Sequence, residues 1–409
     1  MRLRAAFRGR RTIAAALTAM AASAAVGLTV PAVAASAAPT SRSVGAGQAG
    51  TATAVPWSKV GPGWALAMYS ATQGGEGVKP KAGPSTLYLV SPQGSRYRLT
   101  TWSARSPRTS WDLRAWSGDA SRALFAFFPG SGSTGRERIY QLQLRTGKVT
   151  GFTLPANVNA VGYTRPDGLN ILAEKTTSTA GNGSITLQRY SLTGRLRKDL
   201  ATINGLGLFA GISGIPPAPY NSKGTEIAAG TATGLELISN AGGVIRKLPV
   251  PKVPDGCAAV RWWSRTTILA TCGAANAAGP QMWLVPASGA RPTALTPART
   301  GGFDLGDFNA WQLSSGLYLD GFGACGSLVI GRQPAHGREQ QVNVPGAASS
   351  LVVNATRSQL MVERINGCMP GRSLVWFNPA TRAMKVAVPV AHHQFGVTAV
   401  VPYFIAGKF

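Results

Sequence analysis

The 409-residue sequence predicts an all-β fold: a single β-propeller of seven blades, each of four antiparallel strands, closed by a C-terminal strand. Three observations carry this prediction. A strand–turn–strand unit recurs between residues 85 and 390, with its turns at Gly94, Gly147, Gly194, Gly242, Gly289, Gly337 and Thr381, spaced by about 44–53 residues. A further apolar strand precedes each copy of the unit. The last apolar segment, FGVTAVVPYF from Phe395, has no hairpin partner of its own. Six and eight blades remain open at this stage.

The elements follow in chain order. Residues 1–37 predict a secretory signal peptide: MRLRAAFRGRR is basic, the run from Thr12 to Ala32 is apolar and uncharged, and Ala32-Val33-Ala34 or Ala35-Ser36-Ala37 offers a small-residue cleavage site. An uncleaved anchor is the other reading, and the Ala-rich run with good cleavage sites argues against it. Arg10-Arg11 hints at twin-arginine export, without the rest of that pattern. Residues 38–52, rich in Ser, Gly, Ala and Thr, predict a flexible linker, and 53–409 the propeller domain.

Within that domain the preceding strands are WALAMYS, ALFAFF, NILAE, EIAAG, TILATC, LYLDGF and QLMVE, starting at Trp64, Ala123, Asn170, Glu226, Thr267, Leu317 and Gln359. Turns such as Ser117-Gly118-Asp119 and Arg165-Pro166-Asp167-Gly168 introduce several of them: Asp bonds its own backbone, Gly supplies positive φ and Pro fixes φ. Runs as uniformly apolar as ALFAFF suit strands buried on both faces between neighbouring blades. The segment from Phe395 then lends a strand to the blade formed by the other terminus, since closure removes exposed edges.

The stretch WDLRAWSGDASRALFAF, continuing to RIYQLQLRTGKVTGFTL, resembles the TolB-type propeller repeat, as does Arg165-Pro166-Asp167-Gly168 in the next unit. The close match covers two blades. The resemblance implies a scaffold for protein–protein contact, or one appended to an enzyme; no stretch is left over for an appended hydrolase domain.

Lys and Arg number 41 against 15 Asp and Glu, for a formal net charge of +26. This charge is spread along the chain rather than gathered into a phosphate-tracking stripe, and export argues against a nucleic-acid partner. Outside a cell the available partners are a protein or an anionic envelope polymer; a basic proteome bias is the bland alternative. The variable connections all fall on one face, where loops on a rigid scaffold concentrate binding residues. Lys79, Lys81, Trp102, Arg105, Arg108 and Trp111 are the binding-face candidates. Trp102, Trp111, Trp262 and Trp263 serve either a stacking surface or the packing between blades.

Four cysteines in an exported chain predict two disulfides. Cys257 and Cys272 bracket a hairpin folded at Ser264-Arg265, which sets them opposite each other. Cys325 and Cys368 occupy equivalent loops of consecutive blades and make the second pair.

No nucleophile elbow, phosphate-binding loop or Cys/His metal spacing occurs, and no cofactor or metal is expected from motifs. His392 and His393, with Glu363 or Asp320, are the candidate catalytic groups of an alternative reading, a lyase or glycan hydrolase with its site at the central channel. Asp304, Asp307, Asp320 and Glu363 are expected near one rim, where they could hold Ca²⁺ or act in acid–base chemistry. The excess of arginine favours ion pairs for them instead. The functional expectation is therefore a secreted, monomeric, non-enzymatic binding scaffold at the cell surface or wall.

Overall fold

The structure is a computed structural model, and it describes residues 54–75, 78–127, 136–177, 184–208, 218–273, 279–299, 303–324, 327–365 and 371–403. Every described residue belongs to one compact unit, Ala52–Phe409. The predicted signal peptide and the linker up to residue 52 lie outside the described residues, as do Cys325 and Cys368. No helix among the described residues is long and apolar enough to cross a membrane.

The fold is all-β. In chain order come β1 (Ala65–Gln73), β2 (Ser85–Val90) and β3 (Arg96–Trp102), then β4 (Asp112–Trp116), β5 (Arg122–Phe127), β6 (Arg138–Gln143) and β7 (Val149–Thr153). Next are β8 (Val158–Tyr163), β9 (Asn170–Thr176), β10 (Ser184–Ser191) and β11 (Leu196–Asn204), and the shorter set β12 (Glu226–Thr231), β13 (Gly234–Ser239) and β14 (Val244–Pro249). β15 (Cys257–Trp262), β16 (Thr267–Cys272), β17 (Gln281–Pro286) and β18 (Thr293–Ala294) precede β19 (Asp307–Leu313), β20 (Gly316–Phe322), β21 (Leu328–Gln333) and β22 (Gln340–Gln341). β23 (Ser349–Ala355), β24 (Leu360–Ile365), β25 (Arg372–Phe377), β26 (Met384–Val388) and β27 (Gln394–Pro402) complete the chain.

The expected seven four-stranded blades are not what the sheets show. Five blades stand as separate sheets: β4–β7, β8–β11, β15–β18 and β19–β22 have four strands each, and β12–β14 has three. The remaining eight strands form one continuous sheet, in the order β23-β24-β25-β27-β1-β2-β3 with β26 on β25. The physical reason lies at one glycine. β27 pairs antiparallel with β1, as a closing C-terminal strand should, and also touches β25 in parallel at Arg372 opposite Gly396. Gly396 has φ +74°, and a Cβ there would come within 2.2 Å of the Arg372 carbonyl oxygen. Only glycine allows the two backbones this close, so the first and last repeats fuse.

The repeat's turn chemistry is visible in the backbone. Gly94, Gly147, Gly194, Gly242, Gly289 and Gly337 all have positive φ, between 70° and 102°. In the repeat that lacks the glycine, Arg382 takes the left-handed conformation, with φ 61°.

The middle strands are buried between sheets, which is why ALFAFF-like runs carry no polar alternation: β5 is buried at Ala123, Leu124, Phe125 and Ala126. Outermost strands are different. β3 exposes Arg96 and Arg98, β11 Arg197 and Lys198, and β14 Arg246 and Lys247, while β18 and β22 are two residues long. Short, charged outer strands protect edges against pairing with another chain.

Candidate functional site

The connections β1–β2, β3–β4, β16–β17, β18–β19 and β26–β27 share one face, because alternate strands of a sheet run in the same direction. Lys79 and Lys81 are exposed in the β1–β2 connection, and Arg105 is exposed in β3–β4. Arg108 sits in a short 3-10 turn, Pro107–Ser110, whose start is capped by the Ser106 Oγ accepting from the Arg108 N–H at 3.2 Å. Its guanidinium lies 5.3 Å from the Trp111 ring centroid, a half-exposed cation–π contact. The basic candidates therefore share a face.

The tryptophans do not offer a stacking surface there. Trp102 and Trp111 are 6% and 7% exposed, and both pack on Phe125, with Trp111 stacked on Tyr140 at 4.0 Å. Trp262 is buried as well, and its Nε1 donates to the Pro219 carbonyl at 2.9 Å. Trp263 is half-buried beside Arg261. These rings fill the seams between sheets, as large apolar side chains do when area is available to bury.

The carboxylates of the alternative catalytic set are also in the seams rather than converging at a rim. Asp320, on β20, is fully buried; its Oδ2 accepts from Trp311 Nε1 at 2.7 Å and its Oδ1 from the Val352 N–H of β23 at 2.8 Å. Burial pushes its pKa up to about 7, against the two hydrogen bonds and the charge of Arg261. Glu363, on β24, accepts from Arg372 Nη1 at 3.1 Å, and burial raises its pKa while Arg372 opposes the rise. His392 is exposed, and its ring lies 3.7 Å from that of half-buried His393. Among the described residues no hydrogen bond or ion pair links either histidine to Asp320 or Glu363. A nucleophile–base or acid–base pair needs that reach.

Asp320 belongs to a recurring device. Glu137 Oε2 accepts from the Ala160 N–H of β8 at 2.6 Å, and Glu174, on β9, accepts from the Leu208 N–H. In each case a carboxylate of one repeat caps a backbone donor of the next. Burial lifts Glu174 to about 7 and also raises Glu137, each against its backbone hydrogen bond. Glu137 and Glu174 are not among the sequence candidates. Glu174, Asp320 and Glu363 all end or nearly end the preceding-strand pattern (NILAE, LYLDGF, QLMVE), a signal that would have found Glu174.

Asp304 and Asp307 meet a third acid, Glu339, that sequence reasoning also missed. Oxygens from the three lie within 4.8 Å of one another. Arg299 is their shared counter-charge: its Nε is 3.6 Å from Asp304, its Nη2 is 3.5 Å from Asp307, and it also pairs with Glu339. Burial first, then the neighbouring Asp304, pushes Asp307 up to about 9 and Glu339 up to about 8.

Cys257 and Cys272 form a disulfide across paired positions of β15 and β16, with the Cα atoms 4.0 Å apart. The predicted partners Cys325 and Cys368 lie outside the described residues.

Comparison with known proteins adds the fold and no more. The β-propeller domain of the Trilobed protease from Pyrococcus furiosus is similar at 11% identity, covering 79% of this chain and 94% of that one, with TM-score 0.47. Prolyl oligopeptidase B from Galerina marginata is similar at 9% identity over 83% of this chain and 52% of its own, TM-score 0.50. The fold is a β-propeller. The acylaminoacyl peptidase of Pyrococcus horikoshii is similar at 12% identity over 79% and 50%, TM-score 0.47, so this chain spans about half its length. No protein-family model matches the chain, and no curated protein does.

Proposed function

We propose that this propeller is an exported, non-enzymatic binding scaffold at the cell surface or wall, and that its loop-bearing face engages an anionic partner, a protein or an envelope polymer. The observation that supports this reading is the division of charge. Glu137, Asp304, Asp307, Asp320 and Glu363 are buried, whereas Arg261 is the one basic residue in the buried set of described residues. Acids are already outnumbered 15 to 41, and the fold withdraws part of them from water. The solvent-facing surface is thus more cationic than composition alone suggests, and it attracts polyanions at long range. The two blades that resemble the TolB-type repeat are compatible with a protein-contact role.

Binding to an immobilised polyanion such as polygalacturonate tests the reading. Affinity should fall steeply with salt, because exposed charges are screened beyond about 8–10 Å at physiological ionic strength. Replacing Lys79, Lys81, Arg105 and Arg108 by Ala should weaken binding more than equal charge removal at Arg145 and Arg195, in turns of the opposite face. Equal losses from the two sets would refute a loop-face site. A lyase or hydrolase acting through His392 or His393 is the competing reading; turnover of an envelope glycan that is lost in His392→Ala or His393→Ala would establish it instead.

A further inference from the structure

We propose that Asp304, Asp307 and Glu339 hold one Ca²⁺ ion in the seam between the β15–β18 and β19–β22 sheets. This goes beyond the binding reading and does not depend on it. The first observation is unfilled coordination. Arg299 faces Asp304 Oδ2, Asp307 Oδ2 and Glu339 Oε2, and Asp304 Oδ1 accepts from the Gly306 N–H at 2.7 Å. Asp307 Oδ1 and Glu339 Oε1 remain buried with no hydrogen-bond partner among the described residues, and Asp307 is fully buried. A buried polar oxygen without a partner is costly, which points to a ligand.

The second observation is that the fold makes room for these carboxylates. Gly331 pairs with Leu319, so it opens the same sheet face as Gly321. A Cβ at Gly321 would come within 2.5 Å of Asp304 Oδ1, and one at Gly331 within 1.4 Å of Glu339 Oε1. Two adjacent strands thus omit side chains where the acids converge.

Charge and donor type select the ion. Once ionised, three carboxylates against one guanidinium carry two excess negative charges, which one divalent cation neutralises. Oxygens within 4.8 Å of one another fit inside one Ca²⁺ shell, whose bonds run about 2.3–2.6 Å. An all-oxygen set disfavours Zn²⁺, and Mg²⁺, which demands a strict octahedron and keeps several waters, fits an all-protein carboxylate cage less well than Ca²⁺ does.

The experiment uses the full-length protein stripped with EDTA and desalted, titrated calorimetrically with CaCl₂ and melted with and without millimolar Ca²⁺. One ion per chain is expected, with a Tm rise of about 2 °C or more. Asp307→Asn and Glu339→Gln should each lower Ca²⁺ affinity at least about tenfold, as losses around metal ligands do, and abolish the shift. Asp199→Asn, on an outer strand, should change neither. If Asp307→Asn fails to fold, Glu339→Gln decides. Absence of both binding heat and Tm shift in the unmodified protein, or Ca²⁺ affinity unchanged in Glu339→Gln, would overturn the proposal.

Discussion

Replacing Gly396 by Ala probes the fusion of the first and last repeats, and Gly147→Ala supplies its control. The two glycines have nearly equal dihedrals, φ +74° and +70°. An L-residue in the left-handed region costs about 1–2 kcal/mol at either position, offset in both by about 0.4–1 kcal/mol of lost unfolded-state entropy. The surroundings differ. At Gly147 an added Cβ meets nothing within 4 Å, whereas at Gly396 it meets the Arg372 carbonyl at 2.2 Å and the Val390 side chain at 2.8 Å. Forcing β25 and β27 apart adds an overpacking cost of about 1–3 kcal/mol. Urea unfolding should therefore show a net loss of about 1 kcal/mol for Gly147→Ala and of about 2–4 kcal/mol for Gly396→Ala, with unchanged m-values. Equal losses in the two variants would mean that the contact at Arg372 contributes nothing, and the explanation for the eight-stranded sheet would fall.

Two further outcomes follow from other parts of the fold. Reducing Cys257–Cys272, which are 15 residues apart, should cost about 3 kcal/mol in the chain-entropy model, read as a lower Tm in reductant; an unchanged Tm would show that the hairpin holds its register without the bond. Stability should also depend on pH. Glu174 and Asp320 have folded-state pKa values raised to about 7 by burial, so the native state binds more protons than the unfolded chain between about pH 4 and pH 7. Their contribution is full below the unfolded-state values and is lost as pH rises through about 7, so the protein should melt at a higher temperature at pH 5 than at pH 8. A flat or rising profile between those values would contradict the buried staples.

Much of the architecture is legible in the sequence because it is local. A glycine turn at a fixed position in each repeat dictates a hairpin, and an apolar run of strand length between turns dictates burial on two faces. The Cys257–Cys272 bridge is legible for the same reason: one hairpin turn sets its register. The joining of the first and last repeats is not local, since it depends on one approach between Arg372 and Gly396 across a loop. The candidate site divides along the same line. Lys79, Lys81 and Arg105 are exposed where loop position suggests, but Trp102 and Trp111 go inward, because sequence alone does not say which side of a seam a ring will face. Arg299, Glu137 and Glu339 carry no local signal of their partners, which come from other strands.

The basic outer strands set the terms on which copies of this protein meet. Each sheet ends in a row of backbone donors and acceptors that faces water, and mutual repulsion between Arg96, Arg98, Arg197, Lys198, Arg246 and Lys247 of neighbouring molecules holds those rows apart. The same residues present positive charge to water, where a polyanion would meet it. A polymer that coats the rim cancels the repulsion and leaves the edges facing one another at close range. If the proposed polyanion binds there, colloidal stability and ligand occupancy are opposed: the protein should disperse best when empty and condense as the polymer approaches charge equivalence.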